Sequence, residues 1–169
     1  MSERAFFLIP ADPFYLPEKR QQTLFLEFFM EVSPLPNANG DYYFYVYDEP
    51  QPVDAGEGFE AVICPSCGTK LRLYDDSGWT SHYEWWNTAL KKSRDAEVQT
   101  PCCGHRASAA KFRFYADGAF ARFAVGALEP SDSDCWEEEN RPYGYLKPET
   151  LARFEEILGC GVLQIWSYG

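Results

Sequence analysis

The chain has 169 residues with 46% hydrophobic and 17% aromatic content, enough to bury a core in one domain and to exclude wholesale disorder. Its net charge of −11 argues against unassisted binding to a phosphate backbone, because that affinity needs clustered Lys and Arg. The longest apolar-rich stretch, LFLEFFM, is too short to span a bilayer, and MSERAFFLIPADP does not read as a signal peptide. A cytoplasmic protein with reduced thiols and no membrane partner is therefore expected.

RAFFLIP (4–10) reads as a buried strand ended by proline, and residues 16–32 as a helix with Leu24/Phe28 and Phe25/Phe29/Val32 at helical spacing. DYYFYVYD (41–48) reads as a strand with Tyr42, Phe44 and Val46 on one face and Tyr43, Tyr45 and Tyr47 on the other, followed by a loop over 49–58. FEAVI (59–63) leads into CPSCG, LRLYD is a short strand, and SHYEWWNTALKKSR (81–94) is a helix whose Ser81 and Glu84 suit a capping box. Its stripe of Trp79, Tyr83, Trp86 and Leu90 is expected in the core. AEVQT (96–100) runs into PCCGH. Residues 119–128 form a strand, 131–140 an acidic loop, 148–159 a helix between Pro148 and Gly159, and 162–167 the last strand.

This order predicts an α+β fold: a split βαβ-type sheet with helices on one face, forming a single domain over 1–169, with an inserted zinc-ribbon-like module over 59–115.

The two cysteine motifs carry the chemistry. CPSCG aligns with TPCCG so that Cys64 matches Thr100, Cys67 matches Cys103, and Gly68 matches Gly104. The second motif is the first with its leading sulfur moved forward to Cys102. Two such turns facing each other would supply four ligands to a structural zinc ion. Cys64, Cys67 and Cys103 hold the knuckle positions; the fourth ligand is Cys102 or His105, with Cys102 favoured because thiolates dominate closed sites. A thioredoxin-like redox pair would need a helix starting at CPSC, whereas Gly68 and LRLYD follow it. Cys135 and Cys160 match no motif. No GxSxG, Walker A loop or HExxH occurs, so no catalytic residue and no enzyme activity are expected.

The charges are uneven. Gln21 to Thr69 holds eight acids and no base, and Glu129 to Asn140 holds six acids and no base, whereas Lys70 to Arg122 holds nine bases and six acids. Such an acidic frame either solubilises the chain or docks a basic protein. The expected contact residues are Asp132, Asp134, Trp136, Glu137, Glu138 and Glu139, with the indole as anchor. The alternative is a nucleic-acid-binding or adaptor zinc ribbon using Lys70, Arg72, Lys91, Lys92, Arg94, Arg106, Lys111 and Arg113.

VDAGEGFEAVICPSCG, EWW, TPCCG, AFARFAVGALEP and LGCGVLQIW together resemble a family of small uncharacterised bacterial proteins with a CPxCG…WW…TPCCG pattern, some labelled as transporter ATPases. The resemblance spans about residues 50–169 and implies Cys102 over His105, because the doubled cysteine there lacks a following histidine. ASAAKFRFYADG departs from the family's aspartate-rich segment. In general character the chain is similar to bacterial toxin immunity proteins of the contact-dependent inhibition type. That resemblance implies a cognate toxin domain as partner.

Overall fold

A computed structural model describes residues 3–36, 40–56, 60–115, 117–131, 133–138 and 144–169. The chain is α+β, with its strands gathered into a curled antiparallel sheet. β1 (Arg4–Pro10) is followed by α1 (Lys19–Val32) and by β2 (Tyr42–Asp54). The middle of the chain contributes β3 (Ala61–Ile63), β4 (Lys70–Arg72), β5 (Tyr74–Asp75), β6 (Gly78–Trp79), α2 (Ser81–Leu90), β7 (Glu97–Gln99), β8 (Arg106–Ser108), a short 3-10 turn and β9 (Arg113–Phe114). β10 (Gly118–Leu128), α3 (Pro148–Leu158) and β11 (Val162–Tyr168) complete it.

β10 is the organising strand. Its second half pairs antiparallel with β1 on one side (Phe7 opposite Gly126) and with β2 on the other (Tyr43 opposite Gly126), while β11 lies antiparallel outside β1. β1 and β2 therefore flank β10 and run parallel to each other, connected through α1. A side chain at Gly126 would meet the Phe7 ring at 2.4 Å, so this position has room only for hydrogen. In that gap Phe7 stacks on Tyr43, and Tyr43, Tyr45 and Tyr47 stack in turn along β2 with ring planes 13° and 15° apart.

One sheet face is covered by helices. Phe25, Phe29 and Val32 of α1 and Phe154 and Leu158 of α3 bury against Phe6, Leu8, Phe123, Val125 and Trp166. On the other face the end of β2 returns to β11, where Gly56 bridges Tyr168 and the Tyr168 N–H donates to Ala55 O at 3.0 Å. This curl encloses Ile9, Val53, Ala119, Ala121, Ala124 and Ile165; the alanines of β10 make it tight. A separate cluster holds the middle of the chain, with Val62, Leu71, Trp86, Val98 and Phe112 packed on Phe120 of β10.

Several expectations need correction. β2 runs to Asp54 instead of stopping at Asp48: Pro50 falls in the out-of-register stretch between Val46 and Gln51, where a missing N–H is tolerated, and Pro52 resumes the pairing opposite Phe120. The helix of the middle segment ends at Leu90, and its N-cap is Thr80, whose hydroxyl instead donates to Arg72 O, so the Ser81–Glu84 box is not used. Arg94, beyond that helix, turns back and donates to Leu90 O at 2.6 Å and to Pro50 O at 3.2 Å. The aromatic stripe is split: Trp86 is buried, but Trp79 is 66% exposed, stacked on Tyr83 at 4.1 Å.

Trp136 is the largest correction. It is 1% exposed, edge-on to Phe6 at 4.6 Å, and its indole N–H donates to Val32 O at 2.9 Å. An indole whose one donor is satisfied inside the core cannot anchor a partner. The acidic segment is thus pinned by its tryptophan, and the bridge of Trp136 to Leu146 holds its return. Asp134 and Glu138 are exposed and Glu137 is partly so, while Asp132 and Glu139 lie outside the described residues.

Candidate metal centre

Each cysteine motif is the turn of a two-stranded hairpin. CPSCG joins β3 to β4, which pair through Ile63 and Lys70; TPCCG joins β7 to β8, which pair through Gln99 and Arg106. The two turns share one backbone pattern. In the first, Cys64 N–H donates to Thr69 O at 3.0 Å and Gly68 N–H to Cys64 O at 3.0 Å; in the second, Thr100 N–H donates to His105 O at 2.8 Å and Gly104 N–H to Thr100 O at 3.0 Å. Gly68 and Gly104 adopt left-handed φ of 73° and 71°, which a residue with a Cβ would resist. Thr100 is therefore the structural counterpart of Cys64, as the alignment of the motifs expects.

The hairpins face each other. The sulfurs of Cys64, Cys67, Cys102 and Cys103 all lie within 4.8 Å of one another. Cys67 and Cys102 are 3.5 Å apart and Cys64 and Cys103 are 3.9 Å apart, and none is in a disulfide. Four sulfurs at about 2.3 Å from a tetrahedral metal would stand about 3.8 Å apart, so the spacing is close to what a shared ion needs. The cluster could hold a metal. The His105 imidazole is not among the converging groups; its backbone carbonyl serves the turn instead.

Cys64 is buried, whereas Cys67, Cys102 and Cys103 open to solvent, so the centre sits at the surface. Hydrogen bonds surround its sulfurs. The Thr69 hydroxyl lies 3.0 Å from the Cys67 sulfur and lowers that thiol to about 6. Cys103 is lowered too, first by the Thr100 hydroxyl at 3.2 Å. Cys102 is pushed up to about 12, first by the loss of water where it faces the other sulfurs, then by its bond to Cys67. Without an ion the cluster would thus hold its protons unevenly; an ion binding all four sulfurs must displace those that remain.

No helix begins at CPSC, so the strand–turn–helix frame of a redox pair is missing there. Further ties hold the two hairpins in place. The Trp85 indole N–H donates to Gln99 O at 2.9 Å, linking α2 to the second knuckle, and the Ser108 hydroxyl donates to Arg94 O. Arg94 is 9% exposed and belongs to this frame, a role its place in a basic run of the sequence did not reveal. Cys135 and Cys160 pack at the margin of the main core, away from the four.

No family model, curated protein or solved structure matches the chain. The likeness in motifs therefore rests on the residues quoted for it.

Proposed function

We propose that this chain is a protein-binding module, an immunity protein that neutralises a cognate bacterial toxin domain by covering its active site, and that it carries a structural zinc ion on Cys64, Cys67, Cys102 and Cys103. In this reading zinc clamps the β3–β4 and β7–β8 hairpins into a zinc-ribbon-like module, inserted into a domain of interleaved βαβ units with α1 and α3 on one face. Zinc is preferred because an all-thiolate set with tetrahedral spacing suits it, and four protein ligands leave no open position for catalysis.

The observation that supports the partner reading is unspent negative charge. The chain has 26 acids against 15 bases, so at least 11 acids have no base to pair with; Lys70–Glu60 and Arg106–Glu97 are two pairs that do form. Acidic side chains left without internal partners would speed encounter with a basic protein. The nucleic-acid alternative is weakened by the same geometry. Of its eight bases, Lys70 and Arg106 are in those ion pairs and Arg94 is buried.

Co-expression with the product of the gene immediately upstream tests the proposal. Co-purification and loss of toxicity are expected. If the two proteins do not associate and toxicity persists, the immunity reading is wrong.

A further inference from the structure

The first half of β2 is an open sheet edge. Among the described residues Tyr42–Val46 pairs with β10 on one side and with no strand on the other. The Leu128 N–H donates to Asp41 O at 3.0 Å, which fixes the alternation: Tyr43 and Tyr45 bond inward to Gly126 and Ala124, and the backbone groups of Tyr42, Phe44 and Val46 point out of the sheet.

Folded proteins guard such edges with lysine, proline, a bulge or a covering element. The second half of β2 has these guards: two prolines, the register shift, Arg94 bonding Pro50 O, and the bridge to β11. YYFYV has no lysine or proline, and among the described residues no bulge or covering strand guards it. Phe44 and Val46 are 42% and 45% exposed on one face, and Tyr45 is 37% exposed on the other, so an added strand would find apolar grip on both sides.

Charge selects the occupant. Asp41 precedes the segment, Asp48 and Glu49 follow it, and no Lys or Arg occurs from Gln21 to Thr69. A second copy would bring the same charge of −11 and set carboxylates against carboxylates. A strand bearing Lys or Arg would meet opposite charge at Asp41 and at Asp48 and Glu49, the latter pair standing near Arg122, which donates to Tyr47 O at 3.2 Å, and near Arg94, whose backbone N–H donates to Glu49 Oε2 at 3.4 Å.

We propose that the outer edge of β2 over Tyr42–Val46 receives an extended, Lys- or Arg-bearing segment of a partner protein as an additional strand. This deepens the partner-binding reading and rests on it.

The test uses the metal-loaded full chain and a seven-residue peptide of alternating Val and Lys, with a Val/Glu peptide as control, read by residue-resolved hydrogen exchange. The Val/Lys peptide is expected to slow exchange at Phe44 and Val46 by about tenfold or more and to bind about tenfold more tightly than the control. Phe44→Pro, which removes an outward N–H but none of the β10 ladder, is expected to abolish this; Phe44→Lys does the same if the proline variant misfolds. Unchanged exchange with the Val/Lys peptide, or equal slowing by both peptides, overturns the proposal. So does protection without peptide in a chain that sediments as a dimer, which would give the edge to a second copy. If a complex with the neighbouring gene product forms while Phe44 and Val46 still exchange freely, the edge proposal falls and the immunity reading stands. Failure of that complex to form overturns the immunity reading itself.

Discussion

The Thr100 hydroxyl lies 3.2 Å from the Cys103 sulfur, at the place in the second knuckle that Cys64 holds in the first. The sulfur missing at 100 is supplied from 102, whose Sγ reaches the same cluster. Cys102→Ser should lower zinc content under chelator competition, and His105→Ala should not. Adding Thr100→Cys to Cys102→Ser should recover zinc, because it restores the arrangement of the first knuckle. Metal analysis after gel filtration checks all three. Zinc loss in His105→Ala would show that the wrong fourth ligand has been assigned.

Trp136 should matter for stability and not for partner affinity. Trp136→Ala removes a fully buried indole and should cost about 3–5 kcal/mol. Trp136→Phe keeps most of the packing, and the Ser133 hydroxyl still donates to Val32 O at 2.9 Å, so it should cost about 1–2 kcal/mol. Urea unfolding measures both. A weakened complex with no change in stability would return Trp136 to the contact surface.

Arg94 serves two chain segments with one guanidinium: the carbonyl that ends α2 and the Pro50 carbonyl of β2. A lysine presents no fork and cannot match both directions. Arg94→Lys should cost about 1–3 kcal/mol and loosen the packing of α2 against Phe120, seen as faster amide exchange there. An unchanged unfolding midpoint would show that these bonds contribute nothing net.

Asp54 gives the fold a pH dependence of defined sign. Burial raises its carboxyl above the ordinary 3.8, only partly offset by the Gly56 N–H that its Oδ1 accepts at 2.7 Å. A raised folded value means the native state binds the proton more tightly than the unfolded chain does. Its contribution to stability is full below 3.8 and is lost as pH rises through the folded value. Asp54→Asn keeps an acceptor for Gly56 and cannot ionise. It should match the parent at low pH and become the more stable of the two as pH rises, by thermal unfolding across the acid range. A difference that stays constant with pH would contradict the assignment.

The parts legible in the sequence were those with local signals. β1 ends at Pro10, and α3 begins at Pro148 and ends before Gly159, because these residues act on their own neighbours. The knuckles were legible because cysteine spacing and a following glycine belong to a single turn. Trp136 was misplaced because its burial comes from Val32 and Phe6, far away in the chain, while its neighbours are acidic. The continuation of β2 through Pro50 and Pro52 was hidden for the same reason: Pro50 falls where the register with β10 shifts and Pro52 pairs opposite Phe120 beyond it, which no local pattern encodes.

X-ray absorption at the metal edge of the purified protein, followed by chelation, tests the central claim most directly. The account predicts zinc in a shell of four sulfurs at about 2.3 Å. Removing it should release the β3–β4 and β7–β8 hairpins to fast exchange, while Phe6, Phe29 and Phe154 stay protected. A nitrogen or oxygen ligand in the shell, or a protein that folds identically with no metal bound, would contradict it.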